Sequence, residues 1–232
     1  MGKKLIIRGA DFSSNAIGTD EANVNSYIQN GLIIQVDGLS LSGGVWYDLK
    51  SNITITNHGV AFGTNGAIFN GTSWCDISDF PSPINQSTFA DYTIEAVYTR
   101  DADFANNQEL LLSSKPNSII SLGFASTGNL GLSTNGNLIT GYTGILSHLR
   151  GIHYVSANNT RALFDGALLT TRGSASFANG VVNTIGARQK TTAGTIDSPF
   201  TGTIHAIRIY NRQLTTDEMA WNYDIDRARF GA

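Results

Sequence analysis

The chain has 232 residues, 41% of them hydrophobic and 14% charged, with 25 glycines and a formal net charge of -3. That length and apolar share suit one all-β domain with a full core, and the aromatic content argues against disorder. The acidic balance without a basic stripe argues against a nucleic-acid partner, and no run approaches the ~20 apolar residues of a membrane span, so no membrane insertion is expected.

The opening MGKKLIIRGADFSSNAIGT carries only Leu5-Ile6-Ile7 as an apolar run, too short for a secretory leader. Residues 4–8 read as a short strand and GADFSSNAIG as a loop. TDEANVNSYIQNG reads as a short helix, with Asp20 and Glu21 at its start and Gly31 as a left-handed stop. Residues 1–29 are therefore taken as an N-terminal arm and 30–232 as the main domain. From LIIQVDG onward, strand-sized segments recur between turns, the pattern of a sandwich or barrel. Cys75, the lone cysteine, excludes an internal disulfide and is expected to be a buried, inert thiol. Asn135-Gly136 and Asp165-Gly166 suit type I′ hairpins, and FPSPINQS (80–87) is a loop.

The chain then closes on its best helix. In TIHAIRIY, alternation puts Ile204, Ala206, Arg208 and Tyr210 on one face and His205, Ile207 and Ile209 on the other. Thr215-x-x-Glu218 is a capping box, with Leu214 and Met219 at the positions of a hydrophobic staple. Asp217 and Glu218 suit the start of the helix dipole, and Arg227 and Arg229 its end.

The stretch F-x-G-x-I-x-x-x-R-I-Y-N-R-x-L-T-x-x-E-M-x-x-N-Y, from Phe200 to Tyr223, resembles the C-terminal signature of the laminin-G-like and concanavalin A-like lectin/glucanase jelly-roll domains. VWYDL (45–49), AIFNG (67–71), YTIEAVY (92–98) and ALFDG (162–166) resemble further motifs of that family, in the expected order. The resemblance covers about residues 30–230. It implies an all-β fold: a two-sheet antiparallel jelly-roll sandwich with one concave sheet and a short C-terminal helix. The superfold hosts lectins, glycosidases, adhesion domains and phage structural proteins, so it leaves function open.

Glycosidases of this superfold place carboxylates in E-x-D-x-x-E or E-x-D-x-E, because two must face each other across the scissile bond. The chain has four glutamates, Glu21, Glu95, Glu109 and Glu218, and none has an acid two residues on. His58, His148, His153 and His205 show no metal spacing, and G-x-S-x-G is absent. A non-enzymatic role is therefore expected. Neutral glycans stack on aromatic rings and are oriented by amides and carboxylates. Trp74, beside a loop, and Tyr142, read as lying in a loop, are the candidate glycan-binding residues; Trp46 is expected in the core and Trp221 on the helix. Aromatics in β proteins are more often core or cross-strand pairs.

No cofactor is required by these motifs. Calcium is the cation that several relatives of the fold bind, and Asp76 with Asp79, and Asp101 with Asp103, are the candidate ligands; solvated loop acids are the commoner role. The leading expectation is a lectin-like carbohydrate-binding domain whose partner is a glycan or cell-surface polysaccharide. The alternatives are a structural or adhesion protein in a homo-oligomer or virion or surface assembly, and a glycoside hydrolase. The resemblance favours the extracellular surface or a virion as location.

Overall fold

A computed structural model describes residues 26–38, 41–42, 45–79, 92–100, 109–114, 120–124, 129–134, 137–142, 150–169, 182–189 and 194–231. The alternating segments form two antiparallel sheets. The eight-stranded sheet runs β15 (Ala167–Leu169), β14 (Ala162–Phe164), β13 (Gly151–Asn158), β8 (Thr93–Arg100), β19 (Thr201–Tyr210), β6 (Gly66–Asn70) and β5 (Ala61–Gly63). Its eighth strand, β1 (Leu32–Asp37), lies beside the second half of β19, while β6 takes the first half. The seven-stranded sheet runs β12 (Asn137–Tyr142), β11 (Leu130–Thr134), β10 (Ser121–Phe124), β9 (Glu109–Ser114), β16 (Val182–Ile185), β7 (Trp74–Ser78) and β4 (Thr54–His58). Two short ribbons, β2 (Leu41–Ser42) with β3 (Val45–Trp46) and β17 (Arg188–Gln189) with β18 (Ile196–Asp197), complete the described strands. The helix, α1 (Thr216–Phe230), follows β19. This is the antiparallel β-sandwich expected from the sequence.

Between the sheets lies the main core. Ile34, Phe69, Ile94, Ala96, Ile207 and Ile209 meet Cys75, Ile77, Leu112, Leu122, Leu132 and Ile185, all buried. Burial, with a smaller contribution from the Asp76 charge, pushes the Cys75 thiol up to about 12, which keeps it protonated and unreactive at neutral pH.

The family-like motifs have local physical reasons. Asp48, in VWYDL, accepts the amides of Gln35 (2.8 Å), Lys50 (3.0 Å) and Asn52 (2.9 Å), which ties the turn after β3 to β1. Trp46, also in that motif, is buried and donates its indole N–H to the Asp37 carbonyl at 2.7 Å. Asp165 and Gly166 take φ of 44° and 80°, the type I′ pair expected between β14 and β15. Gly202, in the Phe200-Thr201-Gly202 motif, has φ 141°, and a Cβ there would stand 2.2 Å from the Thr99 carbonyl oxygen. Only glycine lets β19 lie this close to β8.

Three expectations need correction. β19 does not alternate simply, because its pairing with β8 slips between Ile204 and Ala206. The bulge turns Ile204 into the inter-sheet core with Ile207 and Ile209, while Ala206 and Tyr210 face the helix. Residues 26–31 are not helical. They form an irregular strap along α1: the Ile28 amide donates to Asn222 Oδ1 at 3.1 Å, and Tyr27 is buried. Gly31 does take positive φ, 81°, but as the turn into β1. Tyr142 ends β12, in register with Leu130, rather than lying in a loop.

The helix covers the outer face of the eight-stranded sheet. Val97, Tyr154, Leu163, Ala206 and Tyr210 pack against Leu214 and Met219. At the centre of this layer is Arg208, 1% exposed. Its Nε donates to Glu95 Oε2 at 2.7 Å, and its Nη1 and Nη2 both donate to the Asp226 carboxylate. Tyr154 and Asn222 donate to Glu95 at 2.6 and 3.0 Å, and the Tyr27 hydroxyl donates to Asp226. The guanidinium lies over the Tyr27 ring at 4.0 Å. Burial opposes the Arg208 charge, but Asp226 and Glu95 outweigh it and hold the guanidinium pKa above its ordinary value. Burial, with the carboxylates nearby, likewise pushes the Tyr27, Tyr154 and Tyr210 phenols upward, so all three stay neutral; Tyr27 and Tyr154 donate, and Tyr210 accepts from Asn222 at 2.9 Å.

The cap forms as the sequence predicts. Thr215 Oγ1 accepts the Glu218 amide at 3.2 Å and Glu218 Oε2 accepts the Thr215 amide at 2.9 Å. Arg212 adds a two-pronged contact to Glu218 at 2.7 and 2.8 Å.

Arg208→Met is expected to leave Glu95 and Asp226 as buried carboxylates without the Arg208 counter-charge and to lower unfolding free energy by about 3–5 kcal/mol in denaturant titration; a loss below about 1 kcal/mol, typical of a surface pair, would refute the clamp. Hydrogen bonding to Arg212 holds Glu218 at about 2, below its ordinary 4.5. Its stabilising contribution is present above pH 4.5 and is lost as pH falls through 4.5 toward 2. Glu218→Gln should therefore flatten the melting temperature against pH in that window; an unchanged acid limb would show that the contact carries no stability.

Candidate functional site

The seven-stranded sheet ends on β4, and there its outer face carries polar and aromatic groups in register. Ile55 and Ile77 point into the core. By alternation the intervening pairs, Thr54 with Ser78, Thr56 with Asp76 and His58 with Trp74, share the opposite face. Thr54, Thr56 and Ser78 are exposed, while His58, Asp76 and Trp74 are half-buried.

The imidazole of His58 and the indole of Trp74 stack, centroids 4.5 Å apart at an interplanar angle of 11°. His58 Nε2 lies 2.9 Å from Asp76 Oδ2. A carboxylate accepts, so the proton sits on Nε2 and the imidazole donates. The Trp74 indole N–H has no protein acceptor. The result is a flat aromatic pair with a carboxylate beside it and two threonines and a serine along the strands. This arrangement can stack against an apolar ring face and exchange hydrogen bonds with hydroxyl groups.

The expected site residues separate in space. Tyr142 lies on β12, at the opposite edge of the sheet from β4. Five strand spacings separate β12 from β7, on the order of 24 Å at ~4.8 Å each, so Trp74 and Tyr142 do not share one sugar subsite. Asp76 is engaged by His58, and Asp79, exposed at φ 60°, accepts from the Ser78 hydroxyl at 3.1 Å. Among the described residues no three His, Cys, Asp or Glu side chains gather as a metal cluster. Asp101 and Asp103 lie outside the described residues.

Sequence reasoning took Trp74 and missed His58, which read as a loop or strand edge. The available signal was that ITITNH and WCDIS can align with His58 opposite Trp74. The described glutamates hold structural posts: Glu95 in the Arg208 clamp, Glu109 against Arg100 at 2.9 Å and Glu218 in the helix cap. Burial pushes the Glu109 carboxyl above its ordinary range against the pull of Arg100.

No protein-family model matches the sequence, and no curated protein resembles it in sequence. Solved structures do resemble it. A mutant of Trypanosoma rangeli sialidase displaying trans-sialidase activity aligns at a TM-score of 0.58 and 17% identity, over 85% of this chain and 33% of the sialidase. The Trypanosoma rangeli sialidase in complex with sialic acid aligns at 0.56 and 16%, over the same shares. A receptor-binding domain aligns at 0.61 and 12%, over 87% of this chain and 52% of its own. The chain thus spans about a third of the sialidases and half of the receptor-binding domain. At these identities the likeness establishes the β-sandwich fold.

His58→Ala should remove the stack and expose more of the Trp74 indole. A red shift of tryptophan emission with a stability loss of about 0.5–1.5 kcal/mol is expected; emission identical to the parent would mean that the two rings do not stack in solution.

Proposed function

We propose that the chain is a non-catalytic, lectin-like carbohydrate-binding domain that takes a neutral glycan on the β4–β7 strip. The observation that carries this reading is the His58–Trp74 stack with Asp76 beside it. A pyranose presents an apolar C–H face and a rim of hydroxyls. The stacked rings suit the face, and Asp76, Thr54, Thr56 and Ser78 suit the rim. The carboxylate accepts from sugar hydroxyls and repels anionic substituents, so neutral sugars are preferred over acidic ones. The partner is then a glycan or cell-surface polysaccharide.

The fold likeness to sialidases and to a receptor-binding domain supports a glycan-facing role without supplying the ligand. An adhesion role within a surface or virion assembly is the second reading, favoured by the receptor-binding likeness and served by the same strip. Calcium at Asp76 and Asp79 would require Asp76 to exchange its bond to His58 for the ion.

A glycan array run with calcium and again with chelator tests the proposal. Binding to a neutral glycan is expected, with Trp74→Ala weakening it at least ~10-fold, equivalent to about 1.4 kcal/mol. Loss of binding in chelator would add the calcium site. Unchanged affinity in Trp74→Ala would remove the strip from the function.

A further inference from the structure

A second polar cluster lies inside the sandwich, away from the β4–β7 strip. Tyr98 on β8 and His153 on β13 are register partners. Tyr98 belongs to the inter-sheet core, and His153 has the same parity as Val155 and Ala157, which also point there. The two rings stand 5.8 Å apart by centroid. Tyr98 meets Phe124 and Phe200 edge-on, at 5.6 and 6.1 Å, and His153 stacks on Phe164 at 5.4 Å. Arg100 joins the group, over Phe124 at 4.9 Å, and bridges the two sheets through its pair with Glu109 at 2.9 Å.

Neither the Tyr98 hydroxyl nor His153 Nε2 has a protein hydrogen-bond partner, and both atoms are shielded from solvent. In the Arg208 clamp, by contrast, the Tyr27 and Tyr154 hydroxyls both donate to carboxylates. Two unpaired polar groups on neighbouring strands are a costly arrangement unless a guest pairs with them. The chemistry of the guest follows from the protonation states. His153 Nδ1 lies 2.7 Å from Asp165 Oδ2, so Nδ1 carries the proton, and in the neutral imidazole Nε2 offers a lone pair. Burial raises the Tyr98 phenol, which stays a neutral hydroxyl able to donate or accept. The guest must donate to Nε2 and exchange a second hydrogen bond with the phenol. An anion has no proton for Nε2, and a cation would sit near Arg100.

We propose that Tyr98 Oη and His153 Nε2 form an internal site for a neutral hydroxyl group, walled by Phe124, Phe164 and Phe200 and separate from the Trp74 strip. Ordered water and the hydroxyl of a sugar or polyol share this chemistry. His153 is a positioning and accepting group in this site, and Asp165 fixes its tautomer.

Crystals of the whole protein, grown free and then soaked in glycerol or glucose, test the site at a resolution that shows waters. The expected result is density within hydrogen-bond distance of both atoms. Density unchanged by the soak assigns water as the occupant, and its replacement by the soaked molecule assigns a polyol or sugar. Tyr98→Phe keeps the ring and should lose that density. In solution, the parent protein should show a slowly exchanging Tyr98 hydroxyl proton with a nuclear Overhauser contact to water or to the added polyol; this measurement stands even if the variant does not fold. A direct Tyr98–His153 hydrogen bond with nothing between them would overturn the proposal, as would density that survives Tyr98→Phe unchanged.

Discussion

A guanidinium shut away from water must be matched donor by donor, and Arg208 organises one side of this protein for that reason. Glu95 comes from the neighbouring strand, Asp226 from the terminal helix and Tyr27 from the strap that precedes β1. These three elements are far apart in sequence, and one charge holds them together. The helix that ends the chain therefore covers the second face of the eight-stranded sheet. Its amphipathic signal is weak because its buried face includes Asn222 and Asp226 as well as Met219.

That clamp also leaves the two sheets with different outer faces. The central strands of the eight-stranded sheet are buried on both faces, by the inter-sheet core and by α1. At the β4 edge of the other sheet, half-buried and exposed groups face outward in register. Ionic groups do structural work under the helix, while a single carboxylate, an imidazole and an indole stand together on the open strip. The same residue types thus have different surroundings, set by whether packing leaves them open to solvent.

How much was legible depends on distance along the chain. Thr215 and Glu218 are three residues apart, and their reciprocal bonds formed as the pattern required. Asp165-Gly166 turned as its residue types demand. The alternation in β19 was misassigned because a bulge at His205 leaves no mark in residue order. The described part of the expected helix, residues 26–31, is irregular for a tertiary reason: the Tyr27 ring lies against Arg208 and Arg229, and the Ile28 amide is taken by Asn222. Trp74 could be named from its place beside a turn. His58 was missed because β5 and β6 of the other sheet intervene between β4 and β7, so the pairing shows only when those two segments are aligned.

By itself the sequence determined the elements whose causes lie within a few residues: the type I′ turn, the helix cap and the all-β class. The tertiary structure decided which strands became neighbours, and with that every side-chain pair in the proposed sites. His58 stacks on Trp74, Tyr98 faces His153, and Tyr142 stands at the far edge of the sheet only because of strand order and register. Capping and turn chemistry act through local bonds. Strand order is chosen by burying two sheet faces at once, a condition that no short stretch of sequence records.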